Sequence, residues 1–82
     1  MVEIIFNDNF KKDYIKIKDE LLKEKIIKQI QKIKENPEIG KPMRYARKGT
    51  REVYAGSFRL SYAYIPEESR IIFLDLYHKD EQ

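Results

Sequence analysis

Four arginines, Arg44, Arg47, Arg51 and Arg59, fall within sixteen residues of this 82-residue chain, and the fifth, Arg70, follows them. The first 43 residues carry positive charge on lysine alone. Arginine presents a planar fork of donors that matches phosphate, whereas lysine is a compact, strongly hydrated point charge. From Lys41 to Arg59 the chain holds six basic residues against one acid, Glu52. Such one-sided clustering points to a polyanion, with nucleic acid the leading class. A solvated basic face is the plain alternative.

The remaining chemistry-bearing residues exclude most reaction types. There is no cysteine, and the single histidine, His78, forms no spacing pattern with Ser57, Ser61 or Ser69 that suggests an activated nucleophile. One histidine without cysteines does not make a metal site, and no glycine-rich loop stands ready to cradle phosphates. What remains is arginine, lysine, tyrosine and His78. Those groups are enough to cut RNA, because the 2′-hydroxyl of the substrate is itself the nucleophile. A protein then has only to align that hydroxyl with the phosphorus and stabilise the added negative charge, with an aromatic surface to stack a base. Such chemistry requires no metal and no cofactor.

A chain of this length forms one domain, residues 1–82, near the lower limit for folding without help. Its net charge of +3 is unevenly spread. Residues 37–65 carry six basic and two acidic groups, while residues 66–82 carry two basic and five acidic ones. The N-terminal residues lack the pattern of a secretory signal, and no apolar run approaches the length of a membrane span. The expectation is a cytoplasmic protein with no membrane partner.

These residues must be positioned by a small set of elements. Val2 to Phe6 reads as a buried strand, closed by Asn7-Asp8-Asn9 with Asp8 as helix N-cap. Apolar residues then recur at helical spacing as Phe10, Tyr14, Ile17 and Leu21. A second series, Leu22, Ile26, Ile30 and Ile33, follows on a displaced face. The displacement, with Asp19-Glu20 at the junction, predicts two helices or one bent helix, and Asn36-Pro37 ends the second. Lysines between the isoleucines read as a solvated face. Glu52 to Tyr54, Phe58 to Ile65 and Arg70 to Tyr77 read as strands, with hairpin turns at Ala55-Gly56-Ser57 and Pro66 to Ser69. The order is β-α-α-β-β-β: an α+β domain whose antiparallel sheet has two N-terminal helices packed on one face. Along the second of those strands Phe58, Leu60, Tyr62 and Tyr64 alternate with Arg59, Ser61 and Ala63. Arg59 is therefore expected opposite the helices, since a cation is costly to bury. There it serves either as a phosphate clamp or as the partner of Glu52 or Asp75 on a neighbouring strand.

Three runs carry a further signal: Asn36-Pro37-Glu38-Ile39-Gly40-Lys41-Pro42, then Gly56-Ser57-Phe58-Arg59-Leu60-Ser61-Tyr62, then Leu74-Asp75-Leu76-Tyr77-His78-Lys79. In order and spacing they resemble the "NPxxGxPL", "GxYRhhY" and "hxxhxHR" text of the RelE/ParE superfamily of toxins, and the resemblance covers nearly the whole chain. It implies the toxin of a type II toxin–antitoxin system. RelE-like members are metal-independent endoribonucleases (mRNA interferases) that cleave mRNA on the ribosome and inhibit translation. A cognate RelB-like antitoxin, acidic and partly disordered, neutralises them, and operator DNA is contacted only through it. ParE-like members share the fold and poison DNA gyrase. Carried over by position, the resemblance makes Arg59 the phosphate-binding arginine and puts Lys79 where an arginine is usual. His78 stands at the family histidine, as general acid or as a strand-end packing residue. Tyr54 occupies a place that is basic in many relatives, with Arg51 and Arg47 near enough in sequence to supply that charge. The implied catalytic set is Arg59, Lys79, Arg51 and His78, with Lys41, Arg44, Arg47, Lys48 and Tyr54 binding RNA. No tyrosine follows the His78-Lys79 pair as it does in several relatives. Tyr54, Lys79 and that missing tyrosine favour weak nuclease activity, or a catalytically weakened member that mainly binds its antitoxin.

Overall fold

The N-terminal strand β1 (Glu3–Phe6) lies at one edge of a five-stranded sheet, far in sequence from its neighbour. The computed structural model describes residues 2–43 and 49–81. Helix α1 (Asp8–Lys16) and helix α2 (Glu20–Glu35) follow β1. Next come a two-residue strand β2 (Lys41–Pro42), then β3 (Thr50–Ala55), β4 (Phe58–Ile65) and β5 (Arg70–His78). The sheet order is β1-β5-β4-β3-β2. Strands β2 to β5 pair antiparallel, and β1 joins β5 in parallel. Parallel neighbours need a long crossover, and here everything from α1 to β4 serves as that connection. The N-terminal helices on an antiparallel sheet are the α+β arrangement that the residue pattern predicts. The short β2 and the parallel pairing of β1 are additions to it.

Helix boundaries follow the capping residues. The Asn7 side chain, rather than that of Asp8, accepts the Asn9 N–H and caps α1; Asp8 is the first helical residue, where its charge suits the positive end of the dipole. Between the helices the chain is extended at Ile17, and Asp19 caps α2 by accepting from the N–H groups of Leu21 and Leu22. This break ends the first apolar series at Ile17, which is buried. Leu21 belongs to the second helix and is 70% exposed.

The core lies between helices and sheet: Phe10 and Ile17 from the first helix and its end, Ile26 and Ile33 from the second, with Ala55, Leu60, Tyr62, Ile71, Phe73 and Leu76 below. Phe6 stacks on Phe73 at 5.1 Å, and Phe10 packs against both, which fastens β1 and α1 to β5. Leu76 and Phe73 both reach the core although strict alternation would place them on opposite faces. A register shift resolves this. Ser61 pairs with Asp75 but Tyr62 pairs with Phe73, so Leu74 is an extra residue on β5, a β-bulge that resets its faces.

One contact ties the end of α2 to the sheet. The Tyr62 ring is fully buried, its hydroxyl donates to the Pro37 carbonyl at 2.7 Å, and it accepts the Gly40 N–H at 3.0 Å. Arg51, the cross-strand partner of Tyr62, donates from one guanidinium nitrogen to the carbonyls of Glu38 and Gly40, both at 2.9 Å. The Pro37–Gly40 turn is thereby held against β3 and β4, and β2 begins at the next residue. Glycine is required at 40 by this close approach. A Cβ there would lie 2.6 Å from the Tyr62 hydroxyl, 2.8 Å from its ring and 3.0 Å from the Arg51 Cβ.

Two predictions follow from the clamp. Gly40→Ala should destabilise the fold by about 1–3 kcal/mol, seen as a lowered urea midpoint; an unchanged midpoint would mean that the turn is free to move away. Burial raises the Tyr62 phenol above its ordinary value of 10.0, more than the Gly40 N–H and the Arg51 charge lower it. The folded protein therefore holds the phenolic proton more tightly than the unfolded chain does. That contribution to stability is complete below pH about 10 and is lost as pH rises through the higher folded value. Tyr62→Phe should cost about 1–3 kcal/mol at neutral pH by stranding two backbone groups. The gap between wild type and variant should then narrow above pH about 10 in urea titrations, and a constant gap would contradict it.

Candidate nucleic acid interface

Cross-strand pairing sorts the basic residues into two faces. Tyr54, Arg59 and Tyr77 are successive partners across β3, β4 and β5, and Lys41, Glu52, Ser61 and Asp75 form the adjacent row. Directly opposed residues share a face, and these two rows lie opposite Leu60, Tyr62 and Leu76, the side that packs on the helices. The hairpin that brings Tyr54 beside Arg59 turns at Gly56-Ser57. Gly56 has φ 61°, and only the first central residue of this turn takes positive φ, as a type II′ turn requires.

On this face a groove of about 600 Å³ is lined by Lys41, Pro42, Met43, Glu52, Tyr54 and Arg59. A smaller hollow of about 70 Å³ adjoins it, lined by Tyr54, Gly56, Ser57, Phe58, Arg59 and Lys79. Tyr54 and Arg59 belong to both. The Lys79 N–H donates to the Ser57 carbonyl at 2.9 Å, which draws the end of β5 over the hairpin turn. Four of the expected residues, Lys41, Tyr54, Arg59 and Lys79, therefore line one connected surface.

The Arg59 guanidinium lies over the Tyr54 ring, 5.0 Å from its centroid, a cation–π geometry. A Glu52 carboxylate oxygen is 3.5 Å away. The Glu52 side chain is only 5% exposed, and the Tyr77 hydroxyl donates to its other oxygen. Arg59 retains 25% side-chain exposure. Among the described residues it makes no closer polar contact than this ion pair, so most of its five N–H donors are uncommitted. Of the two readings open for Arg59, the ion pair with Glu52 is present, and the exposed part of the guanidinium leaves the clamp to be proposed below. An exposed tyrosine (57%) with a cation across its face offers a stacking surface beside a phosphate-matching fork.

Other expected members lie elsewhere. Arg51 faces the helices, where it holds the turn carbonyls described above, because its position has the opposite parity from Glu52 and Tyr54. His78 is the partner of Phe58 at the end of the sheet and packs edge-on against that ring at 5.4 Å. Its Nδ1 accepts the Asp80 N–H at 3.2 Å. It occupies the strand-end packing position that was the alternative to an acid role. Arg70 is engaged at the far end of β5 by Glu3 and Glu68. Arg44, Arg47 and Lys48 lie outside the described residues. Glu52 and Tyr77 are the site residues that sequence reasoning missed as members. The available signal was a carboxylate at the centre of a strand, two residues from Tyr54 on the same face. Among the described residues no group of three or more His, Cys, Asp or Glu side chains is placed to hold a metal ion. No helix among them is long and apolar enough to cross a membrane.

The sequence profile of the family described as "ParE toxin of type II toxin-antitoxin system, parDE" matches residues 4–82. The chain belongs to the RelE/ParE superfamily of toxins. Solved structures agree on the fold. A YoeB/ParE toxin from Agrobacterium tumefaciens superposes with a TM-score of 0.83 at 18% identity, covering 94% of this chain and 98% of its own. The Mycobacterium tuberculosis RelBE2 toxin–antitoxin complex contains a chain with a TM-score of 0.81 at 23% identity, covering 94% and 96%. The intact Escherichia coli RelBE complex contains one with 0.80 at 18% identity, covering 95% and 96%. None of the curated protein sequences matches significantly.

Proposed function

We propose that this superfamily toxin is a metal-independent endoribonuclease that cleaves mRNA on the ribosome and so inhibits translation. The observation that carries the reading is the Arg59–Tyr54 pair at the junction of the groove and the hollow, with Lys41 on one side and Lys79 on the other. Tyr54 stacks a base, and Arg59 with Lys79 holds the phosphate that follows it. Binding in this geometry turns the neighbouring 2′-hydroxyl toward the phosphorus. Attack forms a 2′,3′-cyclic phosphate and expels the 5′-oxygen, which takes a proton as the 2′-hydroxyl loses one. Lys79 gives a point charge in place of a fork, and His78 packs away from the groove, so the chemistry rests mainly on alignment and charge stabilisation. Lys41 and the basic residues Arg44, Arg47 and Lys48 extend the RNA contact.

A second reading, a ParE-like gyrase poison, is favoured by the match to a ParE toxin family and by the charge on Arg59 being already met by Glu52. Cleavage mapping in a reconstituted translation reaction separates the two. Wild-type protein should create new message ends, and Arg59→Ala should reduce their rate by about 10²–10³-fold with an unchanged circular dichroism spectrum. Undiminished cleavage by a folded Arg59→Ala protein would remove Arg59 from the mechanism. Absence of cleavage together with inhibited supercoiling by purified gyrase would replace this reading by the second. Neither effect in a protein that still binds an antitoxin would mark a weakened, antitoxin-binding member.

The partner in this reading is a cognate antitoxin, an acidic, partly disordered chain, and operator DNA is reached only through it. Relatives with this fold are described as toxin–antitoxin complexes. This chain has a wholly apolar groove between its helices, lined by Phe6, Phe10, Tyr14, Ile15, Ile27 and Ile30, with Lys11 at its margin. Ile15 is 75% exposed and Ile27 43%. An amphipathic segment with acidic flanks would cover these residues and stabilise the toxin by mass action. Ile15→Asp with Ile27→Asp should weaken binding of the co-expressed antitoxin by about 30-fold or more in titration calorimetry. Unchanged affinity would move the antitoxin to another surface.

A further inference from the structure

The buried carboxylate of Glu52 is the feature of the groove that RNA binding alone leaves unexplained. A site for an anion has a fixed negative charge built beneath its principal cation. Among its contacts, the Tyr77 hydroxyl donates to one oxygen, and the other lies 3.5 Å from the Arg59 guanidinium. That second distance is longer than an N–H···O hydrogen bond of about 2.7–3.2 Å. The carboxylate is anchored by tyrosine and strand, while the guanidinium is held near it by charge and by the Tyr54 ring. Arg59 can therefore turn its fork toward a ligand while Glu52 stays in place.

We propose that Glu52 is a positioning residue: an internal counter-anion that parks Arg59 over Tyr54 and that a phosphodiester must outcompete before Arg59 engages it. The proposal deepens the RNA reading above and rests on Arg59 being its phosphate contact. A phosphate engaged by Arg59 also meets the like charge of Glu52, and the repulsion weakens its binding. The pair also holds the guanidinium ready, so that Arg59 is ordered before RNA arrives.

The test is equilibrium binding of a single-stranded oligouridylate over a series of salt concentrations, without ribosomes and without scoring cleavage. Glu52→Gln keeps an oxygen for the Tyr77 hydroxyl and removes the charge. It should bind about tenfold more tightly at low salt. Its plot of log affinity against log salt should steepen by about 0.7, the value of one more phosphate contact on a single strand. In an Arg59→Ala background the same change should have a much smaller effect, because Glu52 acts through Arg59. A purely structural role would lower the melting temperature and leave affinity and slope alone. Equal affinity and slope, an equal gain without Arg59, or no binding by any variant would each overturn the proposal. If Glu52→Gln does not fold, Glu52→Thr, which suits a strand interior, carries the same expectations. Tighter binding by Glu52→Gln without message cleavage by the wild type would uphold this inference and overturn the nuclease reading.

Discussion

The Tyr62 hydroxyl is the contact on which the geometry of the groove depends. Its ring is fully enclosed, so it cannot shift, and its oxygen meets a donor and an acceptor from the turn after α2. A phenol buried without partners would be costly; here both of its hydrogen-bonding directions are used. The turn is thereby held against the sheet, β2 follows at once, and Lys41 is set directly opposite Glu52. Arg51 strengthens the same turn through two carbonyls. The proline–glycine run after α2 is thus explained by packing. Pro37 ends the helix, and Gly40 leaves room for the tyrosine.

Parity along β3 and β4 then decides which cations can act together. Arg51 and Arg59 lie close in sequence and on neighbouring strands, yet they point to opposite faces. One pairs with Tyr62 above the core, and the other pairs with Tyr54 and Tyr77 across from it. Among the described residues, Arg59 is therefore the arginine that lines the groove. Arg51 maintains the fold, Arg70 joins the sheet ends through Glu3 and Glu68, and Arg59 with two lysines and a tyrosine is what the described groove offers.

Element order was legible because local signals agreed. Pro37, Gly56 and Pro66 punctuate the chain, the isoleucine spacing marks α2, and alternation marks β4. What stayed hidden was non-local. Nothing near Glu3 to Phe6 tells that this strand will run parallel to β5, because the reason is the stacking of Phe6 on Phe73. The extra residue Leu74 was hidden for the same reason, since a bulge is defined only against a partner strand. At the site, alternation alone was enough to put Arg59 opposite the helices. The roles of Arg51 and His78 depended on what lay across from them, Tyr62 and Phe58, and a linear pattern does not contain that. Glu52 was legible as a partner for Arg59 but not as a buried group, because burial depends on what packs around a side chain in three dimensions.

The shared fold and the groove chemistry place different demands on the sequence. The buried apolar core, the aromatic contacts around Phe73 and the Tyr62 clamp can be met by many sequences, which fits TM-scores near 0.8 at identities of 16–23%. The rows on the other face of β2 to β5 lie outside that apolar core and mix buried Glu52 and Ser61 with the more exposed Tyr54 and Arg59. In this chain they hold a tyrosine beside the arginine and an acid beneath it. A carboxylate there adds nothing to the core and weakens a simple anion site, so packing gives no reason to keep it. The positioning role proposed above gives one: anchored by Tyr77, it holds the guanidinium of Arg59 over an aromatic face until a phosphodiester outcompetes it. The positive potential of the surface is thereby lowered in exchange for a defined orientation, a trade that favours selective contact over tight non-specific adhesion to any polyanion.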